Sequence, residues 1–124
     1  MTWKAKTFMR RFNSGTVGID HGDVVLFSDF EDEGEMWRGQ GPRQNRVAVS
    51  FAQLYRDVPH VQVSVSMIDL SNASNTRYDV QAENITPTGF DIVFRTWADT
   101  RVARARVAWT SFGELANDDG WDLY

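Results

Sequence analysis

Four side chains of this sequence combine an aromatic ring with hydrogen-bonding groups, which is the chemistry that holds a polar ligand. Trp97 stands in a polar corner at residues 97–100, between two runs of alternating residue types. An aromatic ring at such a corner offers a flat apolar surface to a ligand. Arg77 carries five donors in a fixed fork, which suits two adjacent hydroxyl groups. Asn75 offers both a donor and an acceptor, and Gln40 lies in a glycine-rich loop, where backbone can approach a ligand closely.

These residue types favour recognition of a sugar over catalysis, but each of them also has a structural interpretation. Trp97 can close the end of a folded domain, which is a common role of tryptophan. Arg77 can pair with Asp79, with Asp99 or with a neighbouring subunit, while Asn75 can form an Asx turn. The residue types alone leave both interpretations open.

The surroundings of Gln40 are strongly charged. The acidic stretch at 29–35 precedes it, and Arg38 and Arg43 flank its loop. The acidic stretch breaks the strand pattern and predicts a surface loop or a lone turn. A calcium site is the alternative, although the stretch lacks the fixed spacing of known calcium-binding loops. The two arginines either extend recognition to a carboxylate or sulfate on a sugar or are ordinary solvated cations.

Strand-like patterns surround the corner on both sides. Period-two alternation of apolar and polar residues predicts strands with one face in a core. The residues predicted to face that core are Phe90, Ile92 and Phe94 before the corner and Ala103, Ala105, Val107 and Trp109 after it. A further run predicts that Val61, Val63, Val65 and Met67 share one face.

Short strand-like runs extend over most of the chain, and turn residues separate them. They lie at 16–19, 24–27, 46–51, 61–70, 77–85, 89–97 and 101–112. No long segment has helical periodicity, so little helix is expected. The pattern predicts an all-β protein, an antiparallel β-sandwich of about six strands.

Composition restricts the classes of function. The chain has 124 residues, 13 Lys and Arg against 17 Asp and Glu, a formal charge of −4 and no cysteine. This length suits one domain, and the acidic balance argues against nucleic acid as a partner. His21 and His60 lack metal-ligand spacing, so we expect no metal and no cofactor.

We predict three parts of the chain: a basic and aromatic arm at 1–13, the sandwich at 14–113 and an acidic tail at 114–124. The arm either packs on its own domain or docks on a neighbouring chain. Trp121 and Tyr124 of the tail are candidates to dock as well. We expect neither a signal peptide nor a membrane span, and the location stays open between the cytoplasm and a phage-like or externally delivered particle.

Several short segments together carry a family resemblance. They are Asn75-Thr76-Arg77, Asn84-Ile85-Thr86, Gly89-Phe90, Phe94-Arg95-Thr96-Trp97, Asp99-Thr100 and Trp109, with residues 36–43 upstream. Over 14–113 the chain resembles the H-type lectin domain, the family of the snail agglutinin and of the discoidin C-terminal domain. The resemblance implies a six-stranded antiparallel β-sandwich that forms a homotrimer, with a galactose or N-acetylgalactosamine site near the boundary between protomers.

The resemblance also implies roles for individual residues. Trp97 would stack on the sugar, while Arg77 and Asn75 would contact its hydroxyl groups. Gln40 stands where the family has an aspartate. Ala98 and Ala103 stand where the snail protein has a histidine and a tyrosine.

The sequence thus predicts a carbohydrate-binding lectin and not an enzyme. Its expected partners are a glycan, either of galactose or N-acetylgalactosamine type or a bacterial polysaccharide, and further copies of the chain in a homotrimer. The altered positions Gln40, Ala98 and Ala103, together with the arm, suggest an alternative. In this second hypothesis the chain is a structural or adhesion component of a larger particle, such as a phage-like tail, with a degenerate sugar site.

Overall fold

The chain folds into two packed antiparallel sheets. The structure is a computed structural model that describes residues 3–13 and 15–116. Its elements are β1 (Val17–Ser28), α1 (Glu35–Arg38), β2 (Arg43–Ser50), β3 (His60–Leu70), β4 (Tyr78–Glu83), β5 (Gly89–Thr96) and β6 (Val102–Glu114). The strand orders are β1-β6-β3 and β2-β5-β4, and every pair is antiparallel. The predicted all-β, six-stranded antiparallel sandwich is confirmed.

The two central strands supply most of the core, because each is paired on both edges and is covered by the opposite sheet. All the residues predicted to face the core on these strands are buried, namely Phe90, Ile92, Phe94, Ala103, Ala105, Val107 and Trp109. The rings of Phe90 and Trp109 meet edge to face with centroids 5.5 Å apart. Trp109 is therefore a core residue, as predicted.

The first two predicted strands are a single strand. The runs at 16–19 and 24–27 both belong to β1, which continues through Gly22 and pairs it with Trp109. A Cβ at Gly22 would lie 3.1 Å from the indole nitrogen of Trp109. This glycine therefore makes room for a large neighbour rather than ending the strand.

The alternation predicted for β3 is wrong beyond its middle. The register of β3 against β6 shifts between Val65 and Met67. Val61 packs on the core before the shift, whereas Ile68 and Leu70 do so after it. A bulge inserts one residue and so exchanges the two faces of a strand, which is why Met67 does not continue the predicted core face.

The loops lie at the two ends of the sandwich. We call the end that holds residues 29–42, 71–77 and 97–101 the corner end, and the opposite end, with residues 51–59, the closed end. The acidic stretch is a loop that leads into α1, a single helical turn. No helix in 3–13 or 15–116 is long and apolar enough to cross a membrane.

The predicted division into arm, sandwich and tail stays a prediction. Glu114, the first residue of the predicted tail, is the last residue of β6. Trp121 and Tyr124 lie outside the described residues.

Candidate functional site

Trp97 lies just beyond the end of the central strand β5. The last residue of β5, Thr96, pairs with Arg43 of β2 on one side and with Tyr78 of β4 on the other. Trp97 therefore emerges between the first residues of two neighbouring strands. Its side chain is 40% exposed, whereas Ala98, the next residue, turns the chain with a φ of 60°. The indole is thus accessible at the corner end and does not close the sandwich.

An accessible ion pair lies in the same corner. Arg77 Nη1 is 3.2 Å from Asp99 Oδ1, and the two side chains are 41% and 51% exposed. Asn75 Nδ2 donates to the other carboxylate oxygen, Asp99 Oδ2, over 3.4 Å. Of the three partners considered for Arg77, Asp99 is the one observed. The pairing aligns a guanidinium, an amide and a carboxylate along one surface.

Two buried threonines fix the segment that carries Asn75 and Arg77. The hydroxyl of Thr100 donates to the carbonyl oxygen of Asn75 over 2.7 Å and accepts from the backbone N–H of Arg77 over 3.0 Å. The hydroxyl of Thr96 donates to the carbonyl oxygen of Arg77. Both threonines are at most 1% exposed. The backbone of this segment is thus positioned before any ligand arrives, which lowers the cost of ordering it on binding.

A buried arginine attaches the glycine-rich loop to the corner. Arg43 is 4% exposed and donates to the carbonyl oxygens of Met36, Gly41 and Ala98 over 2.9–3.3 Å. Burial lowers the pKa of this guanidinium from its ordinary value. Arg43 is therefore a structural residue, and its predicted role as a solvated cation or a ligand for anionic sugars is wrong.

Gln40 is exposed in this attached loop. The next residue, Gly41, has a φ of 76° and donates its N–H to the carbonyl oxygen of Ala98 over 2.9 Å. The loop is thereby bonded to the residue that follows Trp97. All four predicted residues accordingly lie at the corner end.

Asp99 joins the predicted residues at the corner, although the sequence patterns considered it only as a partner of Arg77. It stands in the polar corner, but only its contact with Arg77 and Asn75 shows that it supplies an acceptor there. The corner therefore offers an exposed aromatic ring, several donors and one carboxylate. This set matches a neutral ligand that carries many hydroxyl groups. No group of three His, Cys, Asp or Glu residues in 3–13 and 15–116 is arranged to hold a metal ion.

Comparisons with known proteins identify the family of the chain. The family model of the H-type lectin domain matches residues 46–112. A Fuscovulum blasticum protein named ATP synthase subunits region ORF 7 is 47% identical over 108 residues, which is 87% of this chain and 94% of that protein. A discoidin-1 polypeptide of Dictyostelium discoideum is 41% identical over 69 residues, 55% of this chain and 27% of the relative.

A solved structure shares the fold. Discoidin II of Dictyostelium discoideum matches with a TM-score of 0.69 and 23% identity, over 83% of this chain and 40% of that chain. The chain thus spans less than half the length of either discoidin.

Proposed function

Because this chain belongs to the H-type lectin domain family, whose members are carbohydrate-binding lectins and not enzymes, we propose that it binds glycans of the galactose or N-acetylgalactosamine type around Trp97. One observation supports this location above the others. An exposed indole stands in the same corner as the exposed ion pair of Arg77 and Asp99, and Asn75 joins that pair.

The proposed contacts follow from the chemistry of these side chains. The indole of Trp97 stacks on the apolar face of a pyranose ring. Arg77 uses one terminal nitrogen on Asp99 and directs its other donors, together with the amide of Asn75, to hydroxyl groups. Asp99 accepts a hydrogen bond in return, and Gln40 contributes from the adjacent loop. The same contacts suit a bacterial polysaccharide with galactose-type residues.

We propose further that the chain forms a homotrimer through the part of the outer face of the β1-β6-β3 sheet that surrounds the start of β1. Strand β1 exposes Val17, Ile19 and Val25 on that face, and Ile19 is 70% exposed. Val17 and Ile19 are neighbours on this face, because alternate residues of a strand share a face, and adjoining exposed apolar side chains occur in protein interfaces. Three shallow sites in one assembly would gain avidity for a dense glycan surface without any new contact.

A glycan array tests the site directly. We expect the wild-type protein to bind galactose-terminated glycans and the Trp97→Ala variant to lose that binding. The matched control is Trp3→Ala, which removes another exposed indole, 85% accessible, outside the corner. The proposal is wrong if the folded wild-type protein binds no glycan, or if both variants bind as the wild type does.

The second candidate function is a structural or adhesion role in a larger particle, such as a phage-like tail. The arm favours it, because Trp3, Phe8 and Met9 are 85–90% exposed and lie among cationic residues. Such a segment has the composition of a docking peptide. Deletion of residues 1–13 would then abolish co-purification with the particle and leave glycan binding unchanged. A chain that is found only free in solution would contradict this role.

A further inference from the structure

A second groove opens at the corner end, on the side of the β1-β6-β3 sheet, and has a volume of about 300 Å³. The groove is lined by Phe30 and Trp37, which we call the aromatic wall, and by Asp69 and Arg104, which we call the polar wall. We propose that this groove is a second contact site for the same glycan, so that the chain binds an oligosaccharide rather than one sugar. The inference rests on the proposed function only in that the ligand is a carbohydrate.

Contacts with Arg101 and Phe30 hold Trp37 of the aromatic wall in place. The guanidinium carbon of Arg101 lies 4.4 Å from the centroid of the Trp37 ring, and Arg101 Nε donates to the Trp37 carbonyl oxygen over 2.8 Å. Phe30 meets Trp37 edge to face with centroids 5.0 Å apart. Phe30 itself remains 56% exposed. A supported aromatic ring that still faces solvent is a suitable platform for the apolar face of a sugar.

The polar wall repeats the arrangement of the first site. Arg104 Nε lies 3.3 Å from Asp69 Oδ2, and the two side chains are 56% and 52% exposed. The pair of Arg77 and Asp99 has a separation of 3.2 Å and similar exposure. Exposed ion pairs contribute little to stability. In both places, an accessible ion pair next to an exposed aromatic ring offers donors and acceptors to hydroxyl groups.

A hydrogen bond connects the segments that carry the two sites. Arg101, which supports Trp37, follows Thr100 of the corner and donates its backbone N–H to Ser74 Oγ over 3.3 Å. Ser74 directly precedes Asn75 of the first site. The charges around the groove also balance, because Glu31 and Asp69 line it together with Arg104, and Arg101 contacts Trp37. A neutral oligosaccharide therefore fits this end better than an anionic one.

Ala103 is a small residue in the lining of the groove. It is 5% exposed and lines the groove together with both walls. A larger side chain at this position would fill the space that we assign to the ligand. Ala103→Phe should therefore weaken binding at the groove.

Nuclear magnetic resonance of the indole N–H groups distinguishes the two sites, because Trp37 reports on the groove and Trp97 on the corner. Replacement of each by phenylalanine assigns its signal. During titration of the protein with β-1,4-linked galactotriose we expect both signals to shift. A shift of Trp97 alone would overturn the groove and leave the proposed function standing. A shift of Trp37 alone would support the groove and reject the corner, and no shift of either would reject both.

The Phe30→Ala variant tests whether the shift of the Trp37 signal comes from sugar bound in the groove or from sugar bound only at the corner. We expect it to abolish the shift of Trp37, to leave that of Trp97 and to weaken binding of galactotriose at least threefold, with galactose binding at Trp97 unchanged. The matched control is Leu54→Ala, which removes a 45% exposed apolar side chain at the closed end. Arg104→Ala gives the same test from the polar wall if Phe30→Ala does not fold. Unchanged galactotriose affinity in a folded variant of either kind would overturn the proposal.

Discussion

The two ends of the sandwich use aromatic and polar side chains in opposite ways. At the closed end Tyr55 is 2% exposed, its ring meets Phe51 edge to face at 5.0 Å, and its hydroxyl lies 2.8 Å from Ser111 Oγ. At the corner end Trp97 is 40% exposed, and the polar groups next to it remain accessible. At the closed end the ring and hydroxyl of Tyr55 are buried and paired within the chain. At the corner end the indole and the polar groups remain accessible to a ligand.

This difference separates residues that stabilise the fold from residues that are available to a ligand. A buried ring whose hydroxyl is paired contributes through packing and desolvation, and its loss leaves a cavity. An exposed ring contributes little of that kind, so its loss costs little stability. If the comparison is correct, substitutions at the closed end change the free energy of unfolding, and substitutions at the corner change sugar affinity.

The largest expected effect is at the closed end. Tyr55→Ala should lower the free energy of unfolding by about 3–5 kcal/mol, because it leaves a cavity and removes one of the two hydrogen-bond partners of Ser111 Oγ. Tyr55→Phe, which keeps the ring, should cost only about 1 kcal/mol. Urea denaturation at a fixed protein concentration measures both. A loss below about 1 kcal/mol for Tyr55→Ala would remove the contrast between the two ends.

Arg43 tests whether the corner depends on its buried attachment. Arg43→Met should lower the free energy of unfolding by about 2–3 kcal/mol, because several carbonyl oxygens lose their donor. Sugar affinity should fall as well, since Gly41 and Ala98 are held by this side chain. Arg43→Lys should not restore the wild-type values, because an ammonium lacks the planar fork. Sugar titration beside urea denaturation checks the result, and unchanged affinity would mean that the corner holds without the attachment.

If the corner is a binding site, substitution of Arg77 should lower sugar affinity and leave stability nearly unchanged. Arg77→Ala should weaken sugar binding about tenfold, equivalent to about 1.4 kcal/mol, and change stability by less than about 0.5 kcal/mol. Arg46→Ala is the matched control, because Arg46 is also a partly exposed ion-paired arginine, 37% accessible, on the outer face of the β2-β5-β4 sheet. Isothermal titration with galactose measures the effect. Equal affinities of the two variants would contradict the assignment of Arg77.

The smallest expected effect concerns the ion pairs of that outer face. Hydrogen bonds from Arg95 and Arg46 hold the pKa of Glu83 below its ordinary value of 4.5. Hydrogen bonds from Asn84 and Arg46 lower the pKa of Asp91 below 3.8. A lowered carboxyl pKa contributes stability that is present above the ordinary value and lost as the pH falls through the lowered one.

Stability should therefore decline modestly below pH 4.5 as these two carboxylates take up protons, and Arg46→Ala should reduce this dependence. Urea denaturation at a series of pH values from neutral to acidic measures the slope for both proteins. Equal slopes would show that this network does not contribute to the pH dependence.

The sequence predicts the fold where local periodicity determines it. The alternation around Phe90 to Phe94 and around Trp109 identifies the two central strands, because a period of two places every second residue in the core. The same rule does not foresee the register shift after Val65, which adds a residue without changing residue types. The same rule also interprets Gly22 as the end of a strand, because Trp109, whose ring needs the space beside Gly22, lies far along the chain.

The candidate site is predictable in its residue types and less so in its contacts. Trp97 and Arg77 stand out because a ring at a corner and a forked donor suit hydroxyl groups. Asp99 does not, since its role depends on a contact with Arg77 across 22 positions. The buried role of Arg43 depends on a bond to Ala98 across 55 positions. Such partners are determined by tertiary folding and are not marked by local pattern.

A crystal structure of the wild-type protein soaked with N-acetylgalactosamine tests the central claim most directly. We expect a pyranose ring stacked on the indole of Trp97, with its hydroxyl groups within hydrogen-bonding distance of Arg77 and Asp99. A sugar bound elsewhere on the molecule, with the Trp97 corner left unliganded, would contradict it.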